Sequence, residues 1–150
     1  MQDTALYQYL LDLQSPWTVS RVNLDLNEQR VDVWAEHSEE AKWRCPHCAE
    51  TLPLYDHAEE RTWRHLDSCQ FQTYLHANIP RVTCGKHGVV QVLVPWAAPR
   101  SRFTLLFERL AIDVLHQCDV SGATRILRIS WDEAWGVMQR AVTRGRARKQ

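Results

Sequence analysis

Along the first hundred residues, apolar and polar positions alternate mostly in twos. Val22, Leu24 and Leu26 alternate with polar residues, Asn27-Glu28-Gln29 interrupts, and Val31 and Val33 resume, which predicts a β-hairpin with one wet face. Phe71, Thr73, Leu75, Ala77 and Ile79 form a second alternating run that stops at Pro80. Val90, Val92 and Val94 form a third that stops at Pro95, and both predict strands. Ahead of them, Leu6, Leu10 and Leu13 recur at spacings of four and three, predicting a short amphipathic helix over 4–13 that packs on the rest.

Near Pro99 the period changes to three or four. Phe103, Phe107, Leu110 and Val114 mark one helix, Ala123, Ile126 and Leu127 a second, and Ala134, Val137, Met138, Ala141 and Val142 a third. Ser121 is placed to cap the second, and Ser130-Trp-Asp-Glu133 has the form of a capping box opening the third. Projected at the helical period, Trp131 and Trp135 join the apolar arc of the third helix. The opposite arc holds Asp132, Glu133, Gly136, Gln139, Arg140 and Thr143. The boundary between the two regimes falls at 95–100. No repeat and no low-complexity stretch accompany it.

A length of 150 residues fits one domain or two small ones, and 45% hydrophobic with 24% charged residues is the balance of a folded soluble chain. The most apolar stretch, Val89–Ala98, is far shorter than the ~20 residues of a spanning helix, and no secretion signal is visible. The expectation is a cytoplasmic chain with no membrane partner. Zero net charge conceals a segregation: residues 1–60 hold four bases against twelve acids, a net of −8, and residues 61–150 hold fourteen against six, a net of +8. Polyanion binding therefore belongs to the second part. Fifteen of the eighteen bases are arginine, whose planar fork suits phosphate and guanine edges. The alternative for the C-terminal run Arg140, Arg144, Arg146, Arg148 and Lys149 is a solvated helix end that complements the dipole.

The five cysteines are Cys45, Cys48, Cys69, Cys84 and Cys118, an odd set that favours metal over a disulfide framework. Cys45-Pro-His-Cys48 is a C-x2-C knuckle. After thirty-five intervening residues Cys84-Gly-Lys-His87 supplies a pair at the same spacing. A two-residue loop lets both ligands of a pair converge on one ion, and two pairs close a tetrahedron of three thiolates and one imidazole around a structural zinc. Cys69 is an alternative to His87. His47 would point away from the ion, Cys118 reads as a small buried hydrophobe, and His57, His65 and His76 lack paired spacing. His37-Ser-Glu39 ahead of the knuckle imitates a zinc deaminase signature. Only seven residues separate His37 from Cys45, and Pro46 sits inside the cysteine pair, so that enzyme is excluded.

The expected class is thus α+β: a zinc-stabilised, zinc-ribbon-like β module with a short N-terminal helix over 1–99, then a three-helix helix-turn-helix module with a basic tail over 100–150. The polar arc of the third helix would enter the major groove, where Gln139 pairs with adenine, Arg140 with guanine, and an acid such as Asp132 accepts from cytosine. Asp132 and Glu133 are equally explained by capping, and Trp131 and Trp135 by core packing. Arg125, Arg128, Arg144, Arg146 and Arg148 would meet phosphates, with Thr143 on the same arc. On this reading Arg140→Ala relaxes sequence preference, whereas Arg146→Ala weakens all duplexes alike. Competing readings are a zinc-stabilised protein-interaction module using the acidic half, and a small redox protein using Cys45 and Cys48 as a dithiol.

From about Val31 to Arg144 the chain resembles the N-terminal part of ISL-three family insertion-sequence transposases. The resemblance rests on Cys45-Pro-His-Cys48, Arg61-Thr-Trp-Arg-His-Leu-Asp67, Arg81-Val-Thr-Cys-Gly-Lys-His-Gly88, Val94-Pro-Trp-Ala97, Ser101-Arg-Phe-Thr104 and Ile129-Ser-Trp131. It implies that Cys45, Cys48, Cys84 and His87 hold zinc, that both modules bind terminal inverted repeats of double-stranded DNA, and that Arg61, Arg64, His65 and Arg81 suit backbone contacts. A DDE-type catalytic domain or a second copy of the chain is the further partner it implies. That domain and its Mg2+-holding acids are expected to be absent here, so the fragment would bind DNA without cutting it. Ala49 and Arg128 stand where the family usually has glycine, and each is expected to take a positive φ at a cost of ~1 kcal/mol.

Overall fold

The computed structural model describes residues 1–149, which form four helices and seven strands. They divide into two compact units, Met1–Thr104 and Leu105–Gln150. No helix among the described residues is long and apolar enough to cross a membrane.

The first unit runs α1 (Asp3–Leu10), β1 (Trp17–Asp25), β2 (Arg30–His37), β3 (Trp43–Arg44), β4 (Thr51–Leu52), β5 (Leu54–Ser68), β6 (Phe71–Cys84) and β7 (Gly88–Gln91). Strand order is β1-β2-β6-β5, with β7 also on β6, and β3 and β4 form a separate two-stranded ribbon. The predicted hairpin is β1–β2. Asp25 Oδ1 accepts the N–H groups of Asn27 and Glu28, and Gln29 closes the turn at φ 49°. β2 then pairs in parallel with β6, Val31 opposite Thr73 and Val33 opposite Leu75. Because side chains alternate across a sheet, Val31, Val33 and Ala35 share one buried face with Leu75, Ala77 and Ile79. Four indoles complete this core: Trp17 lies 4.8 Å from Trp96 and 5.5 Å from Trp43, and Trp63 lies 5.4 Å from Trp96.

Three local expectations change. Leu6 and Leu10 are exposed, and Leu11 and Leu13, beyond the end of α1, are the buried residues, because the chain turns inward there at Asp12 (φ 54°). Pro80 does not end its strand. It stands opposite His57, beside a register shift in β5, and its carbonyl accepts the Val92 N–H at 3.0 Å, so the strand continues through it with only the reciprocal N–H bond missing. β5 itself has no counterpart in the alternation, since three register shifts and charges on both faces erase the period of two.

The second unit contains α2 (Leu105–Gln117), α3 (Val120–Leu127) and α4 (Trp131–Lys149). Asp119, rather than Ser121, caps α3, accepting the Gly122 N–H at 2.7 Å, while Ser121 lies within the helix. The capping box of α4 forms as expected: Glu133 N–H donates to Ser130 Oγ at 3.0 Å, and Ser130 N–H to Glu133 Oε1 at 2.9 Å. Fully buried Ala111, Ala123 and Ala134 allow close helix approach, with Phe107, Leu127 and Val137 filling the remaining space. The buried side of α4 is therefore Ala134 and Val137. Trp131, Trp135 and Val142, read from the sequence as part of the apolar arc, stand in solvent, as does Leu110 of α2. Phe103 is buried in the first unit, bridged to Arg64, and is not part of α2.

Candidate metal centre and nucleic-acid interface

The β3–β4 ribbon exists to shape the knuckle. Cys45 N–H donates to Glu50 O and Ala49 N–H to Cys45 O, both at 2.9 Å, curling Cys45 and Cys48 onto one side. Cys84 is the last residue of β6, and the turn to Gly88 (φ 74°) returns His87 towards it. The four ligand atoms of Cys45, Cys48, Cys84 and His87 all lie within 4.8 Å of one another. Cys48 and Cys84 sulfurs are 3.6 Å apart, and His87 Nδ1 is 3.6 Å from Cys45 Sγ and 3.4 Å from Cys84 Sγ. A tetrahedral zinc at about 2.3 Å from sulfur and about 2.0–2.1 Å from nitrogen places its corners about 3.8 Å (S to S) and about 3.6 Å (S to N) apart. The donor set thus suits a closed, structural zinc site with no position for substrate.

Local electrostatics favour at least one thiolate. The Lys86 backbone N–H, with the His87 ring, pulls the Cys84 thiol down to about 6. At Cys48 the Glu50 N–H also favours the thiolate, but desolvation and the neighbouring thiols Cys45 and Cys84 outweigh it and push that group up. Cys69 sits in the β5–β6 turn at φ 58°, outside the cluster, and Cys118 is half-buried, its thiol directed at Val114 O. His47 packs its ring 5.1 Å from His87. His37 faces His57, Nε2 to Nε2 at 2.7 Å, away from the knuckle cysteines.

Ala49 adopts φ 60° and Arg128 φ 56°, so both side chains occupy left-handed backbone. Ala49→Gly is expected to stabilise the zinc-loaded chain by about 1 kcal/mol, because glycine takes this conformation without a Cβ penalty. A melting temperature that is unchanged or lower contradicts this account.

The basic residues expected to meet DNA have unequal placements. His65 is buried, its ring on Thr104 Oγ1 at 2.8 Å, and burial holds its pKa below the usual histidine value, so it is not a surface cation. Arg64 is also buried, reaching Asp67 at 3.3 Å, and its backbone pairs with Arg102 and Thr104. Neither presents itself to a duplex. Arg61 is half-buried, bonded to Ser101 O and lying over the Trp63 ring. Arg81 is half-buried and ion-paired with Asp56, whose carboxyl it holds below the ordinary range.

In the second unit Arg125, Arg128, Asp132, Gln139, Thr143, Arg146 and Arg148 are exposed. Arg140 and Arg144 are not part of that face. Arg140 Nε donates to Glu108 Oε1 at 2.6 Å and Arg144 to Oε2 at 3.1 Å, and Glu108 is 0% exposed. An acid inside a helix pair needs cationic partners, and the one-turn spacing of these arginines on α4 provides two. The signal was present in the sequence as an acid, Glu108, on the stripe of Phe107 and Ala111.

Comparison with known proteins gives two family matches. Residues 41–87 match the zinc-finger of transposase IS204/IS1001/IS1096/IS1165, and residues 92–142 match the helix-turn-helix domain of transposase family ISL3. The transposases for insertion sequence element IS1557 of Mycobacterium tuberculosis, from strains CDC 1551 / Oshkosh and ATCC 25618 / H37Rv, are each 32% identical over 98 residues, 65% of this chain. The chain covers 22% of the length of these relatives. No solved structure matches it.

Proposed function

We propose, since the chain belongs to transposase family ISL3 through its zinc-finger and helix-turn-helix segments, that it recognises the terminal inverted repeats of an insertion element as double-stranded DNA. In this reading Cys45, Cys48, Cys84 and His87 hold one structural zinc within the first unit, and the helices of the second unit form the helix-turn-helix module. The role assigned to these residues is binding, not strand chemistry. The observation that carries the reading is the α3–turn–α4 unit. Left-handed Arg128 and the Ser130–Glu133 capping box make the turn abrupt, and Ala134 and Val137 commit one side of α4 to the core, leaving its other side to solvent. Asp132, Gln139 and Thr143 would then face base edges, and Arg125, Arg128, Arg146 and Arg148 the phosphates. Arg140 and Arg144 act through Glu108, holding α4 in place. A dithiol role for Cys45 and Cys48 gains no support from sulfurs that share two further donors.

The test is binding of the zinc-loaded full chain to duplexes across a salt series. Four or five phosphate contacts correspond to a log–log slope of about −4, and hence to a loss of some hundreds-fold between about 50 and 200 mM salt. Duplexes enriched from a random pool should bind at least about a thousandfold tighter than the pool itself. Affinity that ignores salt, or equal affinity for enriched and random duplexes, overturns the proposal.

A further inference from the structure

We propose that Trp131 and Trp135 read thymine methyl groups in the major groove, an inference that rests on the DNA-binding reading above. Both indoles stand in solvent, at 52% and 58% exposure, although tryptophan is among the most apolar surfaces a chain can present. They are four residues apart on the first two turns of α4 and so share one stripe, which Val142 continues farther along. This stripe cannot turn inward, because the other side of the helix is held by Ala134 and Val137 in the core and by Arg140 and Arg144 on Glu108.

Two properties of the stripe's setting identify its occupant. Residues 120–149 hold seven bases against two acids, and Arg125, Arg128, Arg146 and Arg148 are exposed, so the occupant is a polyanion. The stripe itself is apolar, so that polyanion must also offer apolar groups. Duplex DNA offers both, with phosphates along the groove rims and the thymine 5-methyl inside the major groove, which is about 12 Å wide and admits a helix. Gln139, two helical turns beyond Trp131, lies close to the same face and is exposed. Its amide matches adenine N6 and N7, while an indole beside it covers the methyl of the partner thymine, so the helix face selects A·T pairs twice over.

Uracil-for-thymine replacement tests this, because it removes the methyl and nothing else. The zinc-loaded full chain first enriches a duplex from a random-sequence pool, and each thymine of that duplex is then replaced in turn by deoxyuridine. Affinity should fall about fourfold for each contacted methyl, at a few adjacent positions only. Trp135→Ala and Trp131→Ala, both surface changes, should keep the helical content and salt slope of the parent while binding the two duplexes equally well. Parent chain indifferent to the replacement, or variants that retain its discrimination, overturn the inference. So does loss of self-association in the variants with DNA affinity intact, which makes the stripe a contact between protein copies. Failure to enrich any duplex rejects the DNA-binding reading itself, whereas enrichment followed by indifference rejects only the methyl contacts.

Discussion

Stripping zinc from the chain should unfold residues 40–95 and leave the helices of the second unit in place. β3 and β4 are two residues long and β7 is four, too short to stand without the ion that gathers the knuckle to the end of β6. The loss does not stay local. Trp43 of β3 is buried against Trp17, so releasing the ribbon opens the aromatic core to water. Zinc binding contributes on the order of 10 kcal/mol or more to such modules, comparable with the whole stability of an ordinary domain. Hydrogen exchange with a chelator present should therefore show protection lost over β3 to β7 and retained over α2 to α4. Cys84→Ser should reproduce that pattern without chelator. A metal-free chain with its β-sheet protection intact would contradict the account.

Arg140→Ala should destabilise the second unit by about 2–3 kcal/mol. Removing one partner of a buried ion pair commonly costs about 3–5 kcal/mol, and here Arg144 remains on Glu108 and softens the loss. For a helical unit of this size that is much of its stability, so binding to all duplexes should weaken together. This differs from the sequence-based expectation, in which Arg140 touches a base and its loss relaxes selectivity. Urea unfolding followed by helical circular dichroism measures the cost. The double variant Glu108→Leu/Arg140→Ala should recover part of it, because an apolar side chain needs no cation. A single variant within about 0.5 kcal/mol of the parent would show that the ion pair contributes little.

What could be read in advance was what depends on near neighbours in the chain. The knuckle, the Cys84–His87 pair and the Ser130–Glu133 box are recognisable because their chemistry is set by spacings of three residues. Ala49 and Arg128 were legible as left-handed positions through the family's glycines, and both adopt that backbone. What was hidden depends on tertiary choice. Periodicity ranks Trp131 and Trp135 as core because it scores apolar character, not volume. The helices instead meet at alanines, where an indole would not fit. Arg140 looked like part of a polar arc because its partner Glu108 lies thirty-two residues away. Ser121 and Asp119 are both capping residue types, and only the first-turn geometry chooses between them.

The placement of the seven tryptophans gives each unit its own optical signature. Four of the five in the first unit are walled in, with Trp17, Trp43, Trp63 and Trp96 packed on one another, and Trp34 is half-buried under Arg21. Both in the second unit already see water. Intrinsic fluorescence during denaturation is therefore dominated by the first unit, shifting to longer wavelength as that core opens. Quenching of the two water-facing indoles by an added duplex would report on α4 without a label.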